Sequence, residues 1–280
     1  MRHRHALPLI LTAALLACGG DSGTTSPTTT PPPPPPPPPA VQLEDVAVDR
    51  LPSPYYHFAY GGDGRVSFVS FASDLTRYDV TYDAGGRLAE MRNNTIANHD
   101  RLQYVYDDAG RVGLVKYLDA SDRVYTTVFF TYDGEKLKGI ERDRRVDGGF
   151  IIDKTVALSY DADGNLFELT THRPAIAGRQ AEETTVDRYE GYDDGINVDG
   201  FGLIHDDFFD HLVLLPGVQL QKNNPARETR TGDGINYTVD YVYTYDAAHR
   251  PRVKSGDLTV TRNDPNVGRH FQTRSSFSYY

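Results

Sequence analysis

The chain has 280 residues, a formal net charge of −10, nineteen tyrosines, no tryptophan and a single cysteine. Negative charge with no basic cluster argues against nucleic acid, because phosphate binding needs grouped Lys and Arg. One cysteine excludes an internal disulfide and a Cys-based zinc site.

At the N-terminus, Arg2 and Arg4 precede an apolar run from Ala6 to Ala17, broken only by Pro8 and Thr12. A basic start followed by about a dozen apolar residues is a secretory signal, too short to cross a bilayer as an ordinary helix. The run ends Leu15-Leu16-Ala17-Cys18, which resembles the lipobox of bacterial lipoproteins. The resemblance implies removal of residues 1–17 and acylation of Cys18, leaving no thiol nucleophile. More than one acyl chain anchors stably where a single chain does not. Loss of Arg2 and Arg4 leaves the mature part near −12, so surface charge alone would not dock it on anionic lipid. Gly19 in place of Asp favours the outer membrane by resemblance to Gram-negative sorting rules, on either of its faces.

Residues 18–40 form the tether. Gly, Asp, Ser, Thr and Pro alone fill residues 19–30, and nine prolines follow, Pro31 to Pro39. Such a segment has no apolar area to bury and does not fold. The proline run predicts a polyproline II rod of roughly 28 Å at about 3.1 Å per residue.

Residues 41–280 suit one β domain. Within them a unit recurs: alternating strand residues ending in Tyr-Asp, a turn with Gly, a basic residue or Asn, then an apolar strand. Its copies centre on Tyr60, Gly64 and Arg65; on Tyr82, Asp83, Gly86 and Arg87; and on Tyr106, Asp107, Gly110 and Arg111. Further copies are Tyr132, Asp133 and Lys136; Tyr160, Asp161, Gly164 and Asn165; and Tyr245, Asp246 and Arg250, with a degenerate one at Tyr192–Gly195. The physics is that of a β-hairpin. Tyr, Val, Phe and Thr alternate on the incoming strand, Asp caps amides ahead of it, and Gly takes the positive φ of the reversal. The first five copies lie 22 to 28 residues apart, close enough for consecutive hairpins to pair as a meander. Seven units predict an all-β antiparallel sheet of about 12–14 strands, curled into a barrel or half-barrel.

By simple alternation Leu88 shares a face with Glu90 and Arg92, Leu166 with Glu168, and Ile140 with Lys138 and Arg142. Charges on a lipid-facing surface are costly, so the sheet is read as lying outside the bilayer. The pairs Val112/Val115 and Leu137/Ile140 point to opposite faces unless a bulge intervenes.

Residues 196–222 break the pattern. Phe201, Ile204, Phe208, Leu212 and Leu215 recur at helical spacing, Asp206 and Asp207 suit a helix start, and Pro216-Gly217 ends it. The expectation is a short apolar helix over 201–215 that plugs the curled sheet.

The Tyr-Asp-x-x-Gly-Arg unit is similar to the YD repeats of Rhs toxin shells and teneurins. The order of elements resembles a family of Gram-negative lipoproteins whose domain, of unknown function, is described as porin-like. Lipobox, linker and Tyr-Asp hairpins are followed by an apolar segment, Asn224-Pro225 and Tyr241-Val-Tyr243-Thr-Tyr245-Asp246. The chain departs from it at His249-Arg250-Pro251, where Gly and Tyr are usual. The resemblance implies a porin-like β fold and transfers no activity.

No G-x-S-x-G, H-E-x-x-H or P-loop pattern is present, and no cofactor motif. The densest ligand-like cluster is His205-Asp206-Asp207-Phe208-Phe209-Asp210-His211, in which Asp207 and His211 share a helical face. Asp161-x-Asp163-Gly164-Asn165 reads as a hairpin turn before it reads as a calcium loop, lacking a Glu at the twelfth position. Glu182-Glu183 and Asp193-Asp194 are the carboxylate pairs a glycosidase would need. The tyrosines suit strand packing first and glycan stacking second. Two functions follow: a lipid-anchored, non-catalytic barrel binding a protein, glycan or small ligand, or a glycan-directed hydrolase with carboxylates in the lumen.

Overall fold

The computed structural model describes residues 41–94, 99–204 and 211–280. The signal segment, Cys18 and the tether lie outside them, as do residues 205–210. Sixteen strands follow one another: β1 (Leu43–Val48), β2 (Tyr56–Tyr60), β3 (Val66–Phe71), β4 (Thr76–Tyr82), β5 (Leu88–Asn93), β6 (Arg101–Tyr106), β7 (Val112–Leu118) and β8 (Val124–Asp133). The second half comprises β9 (Lys136–Val146), β10 (Gly149–Tyr160), β11 (Leu166–Arg173), β12 (Glu183–Glu190), β13 (Arg227–Gly232), β14 (Asn236–Tyr245), β15 (Pro251–Arg262) and β16 (His270–Tyr279). Each strand pairs antiparallel with its sequence neighbours, and β16 closes on β1 through Leu43↔Tyr279 and Val46↔Phe277. The predicted meander is therefore a closed barrel, with sixteen strands where the repeat count suggested 12–14.

Each Tyr-Asp hairpin carries a register shift at its tyrosine: between Thr81 and Tyr82, Val105 and Tyr106, Thr131 and Tyr132, Ser159 and Tyr160. A bulge flips the parity of the side chains that follow. Val112 and Val115 are consequently both buried, as are Leu137 and Ile140, Leu88 and Met91, Leu166 and Leu169. Simple alternation is thereby corrected: Leu88 faces in, while Glu90 and Arg92 face out with Gln103 and Arg101.

The two faces of the sheet are chemically opposite. The inward side chains form one apolar cluster from Leu43 to Leu169, joined by Tyr189 and Phe277. The outward face carries ion pairs, among them Glu90–Arg101 at 2.9 Å, Glu168–Arg188 at 2.8 Å and Arg227–Asp240 at 2.7 Å.

The long connection between β12 and β13 enters the barrel and returns. Its residues Ile204, Leu212, Val213 and Leu220 are buried in the core cluster. Phe201 sits edge-on to Tyr56 and Phe58, the Tyr104 hydroxyl donates to the Leu214 carbonyl at 2.8 Å, and the Leu166 amide donates to Leu220. The described parts of the segment fill the lumen as expected. Among the described residues Gly200–Leu203 forms a single 3-10 turn and 211–215 is extended or irregular, while the middle of the expected helix, 205–210, lies outside them. The apolar spacing records which side chains are buried.

Candidate functional site

The Tyr-Asp turns cluster at one end of the barrel, and their residues build a ladder between repeats. In the turns at Asp83, Asp107 and Asp246 the aspartate accepts amides ahead of it and the arginine side chain. Asp83 takes the Gly85 and Arg87 amides at 2.9 Å and Arg87 Nε at 2.8 Å, and Asp107 does the same for Ala109 and Arg111. The amide and guanidinium of Arg87 hold the Asp83 carboxyl below its ordinary range, and those of Arg250 hold Asp246 down to about 2. Gly86, Gly110 and Gly164 all have φ near +80 to +90°, as the reversal requires. The tyrosine hydroxyl then reaches back one repeat. Tyr82 donates to the Val66 carbonyl, Tyr106 to Leu88, Tyr132 to Val112 and Tyr160 to Leu137, all at 2.8 to 2.9 Å. The basic residue lies over the next tyrosine: Arg65 over Tyr82, Arg87 over Tyr106, Arg111 over Tyr132 and Lys136 over Tyr160, at 4.6 to 5.0 Å. Tyr60 opens the series with a bond to Leu43, and Asp133 pairs in register with Lys136 across its two-residue turn.

Asn165 replaces the arginine where the plug docks. Its carbonyl oxygen accepts the amides of Lys222 and Asn223 at 2.8 and 3.0 Å, and the side chain is buried. An arginine there would have to extend through the returning chain. Tyr245 departs similarly: its hydroxyl contacts Asp193 and accepts from Asn224 Nδ2 at 3.1 Å. The arginine of this final repeat lies over Tyr279 instead, at 4.4 Å, so His249-Arg250-Pro251 still forms the turn.

The remaining sequence candidates are placed as follows. Asp161 caps its own turn by accepting the Asn165 amide at 2.8 Å, and the Asp163 carbonyl accepts Lys222 Nζ. His211 shares a 2.5 Å hydrogen bond through Nδ1 with the Tyr78 hydroxyl and packs against Phe71. His205, Asp206, Asp207, Phe208 and Asp210 lie outside the described residues. Among the described residues no group of three or more His, Cys, Asp or Glu is placed to hold a metal. Asp193 accepts the amides of Gly195 and Asn224, and Glu182 lies 3.2 Å from His172 Nε2.

The strands β12–β16 line a different interior. Beside the aliphatic Val239, Leu258 and Val260, their inward residues include Asp187, Tyr189, Glu228, Arg230, Tyr237, Tyr241, Tyr243 and Lys254, brought to one face by the pairs Asp187↔Arg230, Tyr189↔Glu228 and Tyr243↔Lys254. Glu228 accepts the hydroxyls of Tyr237 and Tyr241 at 2.9 and 2.7 Å. Burial, with the Glu228 charge beside them, pushes both phenols far up. Arg230 binds Asp187 through Nε and Nη2 at 2.6 and 2.7 Å, and Lys254 pairs with Asp199 at 3.0 Å. At the end opposite the Tyr-Asp turns this half opens into a cavity of about 560 Å³. Ile235, Tyr237, Leu258, Val260 and Phe271 give it apolar walls, and Glu183, Thr185, Arg230, Asp264 and Asn266 give it polar edges. A concave, mostly apolar space with a few polar groups is the usual form of a small-molecule site. Sequence reasoning missed it because its residues come from five strands with no shared motif. The one trace was the run of alternating tyrosines on β14.

No family model matches the sequence, and no curated protein matches it. Solved structures do share its fold. A porin-like protein from Bacteroides vulgatus is 16% identical over 85% of this chain and 99% of its own, with a TM-score of 0.56. A porin-like protein from Bacteroides uniformis is 13% identical over 80% of this chain and 89% of its own, with a TM-score of 0.53. At these identities the likeness establishes a porin-like barrel fold and nothing finer.

Proposed function

We propose that this protein is an envelope lipoprotein, acylated at Cys18 and held at the outer membrane, whose barrel is a non-catalytic binding module. The observation that carries the reading is the inverted chemistry of the sheet. A membrane barrel turns its apolar residues outward, and an Arg or Lys on its lipid face costs about 2–4 kcal/mol at mid-depth. This barrel faces an apolar cluster in and pairs such as Glu90–Arg101 and Glu168–Arg188 out, and it also buries the pairs Arg142–Asp153 and Asp187–Arg230, so attachment to a membrane must come from elsewhere in the chain. Cys18 and the tether supply it, and the hairpin units are read as relatives of YD repeats. Binding is favoured over hydrolysis because the carboxylate pairs offered by the sequence are committed in part: Asp193 to Gly195, Asn224 and Tyr245, and Glu182 to His172.

The test is expression of the full chain in a Gram-negative host fed an alkyne fatty acid. Wild type should take the label and sediment with outer membranes. The Cys18→Ala chain should be unlabelled and soluble. A Cys18→Ala barrel that still partitions into bilayers would overturn the reading.

A further inference from the structure

The mouth cavity selects by charge, an inference that rests on reading the barrel as a binding module. Its guanidinium is already ion-paired: Arg230 gives Nε and Nη2 to Asp187, which is itself buried. The Glu183 carboxylate has no hydrogen-bond or ion-pair partner among the described residues, although Arg173 stands opposite it in the β11–β12 ladder. Asp264 adds a second negative charge from the β15–β16 turn, where one oxygen accepts the Asn266 amide at 2.7 Å. The walls between these groups are apolar and aromatic, and Ile235 is half exposed to the space they enclose.

We propose that this cavity binds an organic cation, an ammonium group carried on an apolar or aromatic body. The body covers Ile235 and Leu258, and the ammonium lies beside Glu183 and the ring of Phe271; the Tyr237 ring already carries the Arg230 guanidinium, 5.2 Å from its centroid. A carboxylate in a partly dehydrated wall attracts a cation more strongly than one in bulk water, and aromatic faces add to the attraction. An anion would meet two carboxylates and an arginine that is already paired. A sugar would turn hydroxyls toward a wall that offers them few partners.

The experiment uses the full barrel and three probes of one shape: 4-phenylbutylammonium, 4-phenylbutanol and 4-phenylbutanoate, titrated by calorimetry and by NMR. The ammonium should bind about tenfold more tightly than the alcohol, the order expected of one partly buried carboxylate. The carboxylate probe should bind least. Glu183→Gln, isosteric and at a strand end, should bring ammonium and alcohol within about twofold at an unchanged melting temperature. In wild type, added salt should weaken the ammonium and leave the alcohol unchanged, a check that needs no variant. Equal binding of ammonium and alcohol, or preference for the carboxylate, would overturn the choice of ligand and leave a binding barrel. Binding of none of the three would overturn the cavity as a ligand site as well.

Discussion

The two halves of this barrel are built from the same hairpins and differ in what fills them. Across β2–β11 the lumen is occupied by the chain's own β12–β13 connection, and side chains such as Leu102, Val112 and Leu166 are wholly buried. Across β12–β16 the inward positions include tyrosines and charged groups bonded to one another beside Val239 and Val260, and the space beyond them is open. A closed sixteen-stranded ring is wider than its own side chains can fill. This protein fills one side with backbone and leaves the other to polar networks and a cavity. The plugged core and the open cavity thereby fall to different strands.

Substitutions sharpen that comparison, beginning with the largest effect. Each half has a bidentate Arg–Asp pair. In the plugged half Asp153 is 3% exposed and holds Arg142, which is 5% exposed. Asp153 also takes Arg144 Nε at 2.8 Å, so Asp153→Ala removes a buried carboxylate shared by two guanidinium groups and should cost about 3–5 kcal/mol in denaturant unfolding. In the open half Arg230 is 37% exposed, so Asp187→Ala lets it reach water and should cost less than about 2 kcal/mol. Equal costs would refute the division. Next come apolar truncations: Leu102→Ala should cost about 2–5 kcal/mol, and Leu258→Ala at the cavity wall about 1 kcal/mol or less.

A smaller effect is expected from Tyr106→Phe, which removes the hydroxyl bond to Leu88 and should cost about 1 kcal/mol. Acid titration should give the smallest change. The Asp246 carboxyl stands at about 2 in the folded protein against an ordinary 3.8. Its stabilising contribution is therefore complete above about pH 4 and lost as the pH falls toward 2. Thermal melts over that range should show a shallower acid limb in Asp246→Asn than in wild type.

Hairpins were legible in the sequence wherever Tyr, Asp and Gly coincide, because each residue answers a separate demand of the turn. The seven units account for β2 to β15, and the count fell short of sixteen by the first and last strands, β1 and β16, which no Tyr-Asp turn joins. Turns and strands that lack one of the three residues also escape a reading by motif. Asp119-Ala120-Ser121-Asp122-Arg123 makes the same capped turn, with Arg123 N and Nε on Asp119, but Leu118 stands in place of the tyrosine and Asp122 takes the positive φ. β13, Arg227–Gly232, carries no buried apolar residue and so no alternation to read. The inward direction of Leu137 and Ile140 depended on a bulge that composition does not announce. The plug was legible as apolar content, while at its described ends, 200–204 and 211–215, the helical spacing marks burial and not a regular helix. The mouth cavity was not legible at all, because its wall is assembled from five consecutive strands, from Glu183 on β12 to Phe271 on β16, that share no motif.

That closure places a demand on the order of assembly. The seam pairs β1 with β16, and the Tyr280 amide donates to the Gln42 carbonyl. Until the last strand arrives, the first has an open edge of unsatisfied peptide groups, a template for pairing with other chains. A molecule shortened by its final ten residues would carry two such edges for its whole lifetime, and oligomers joined strand to strand would be its natural fate.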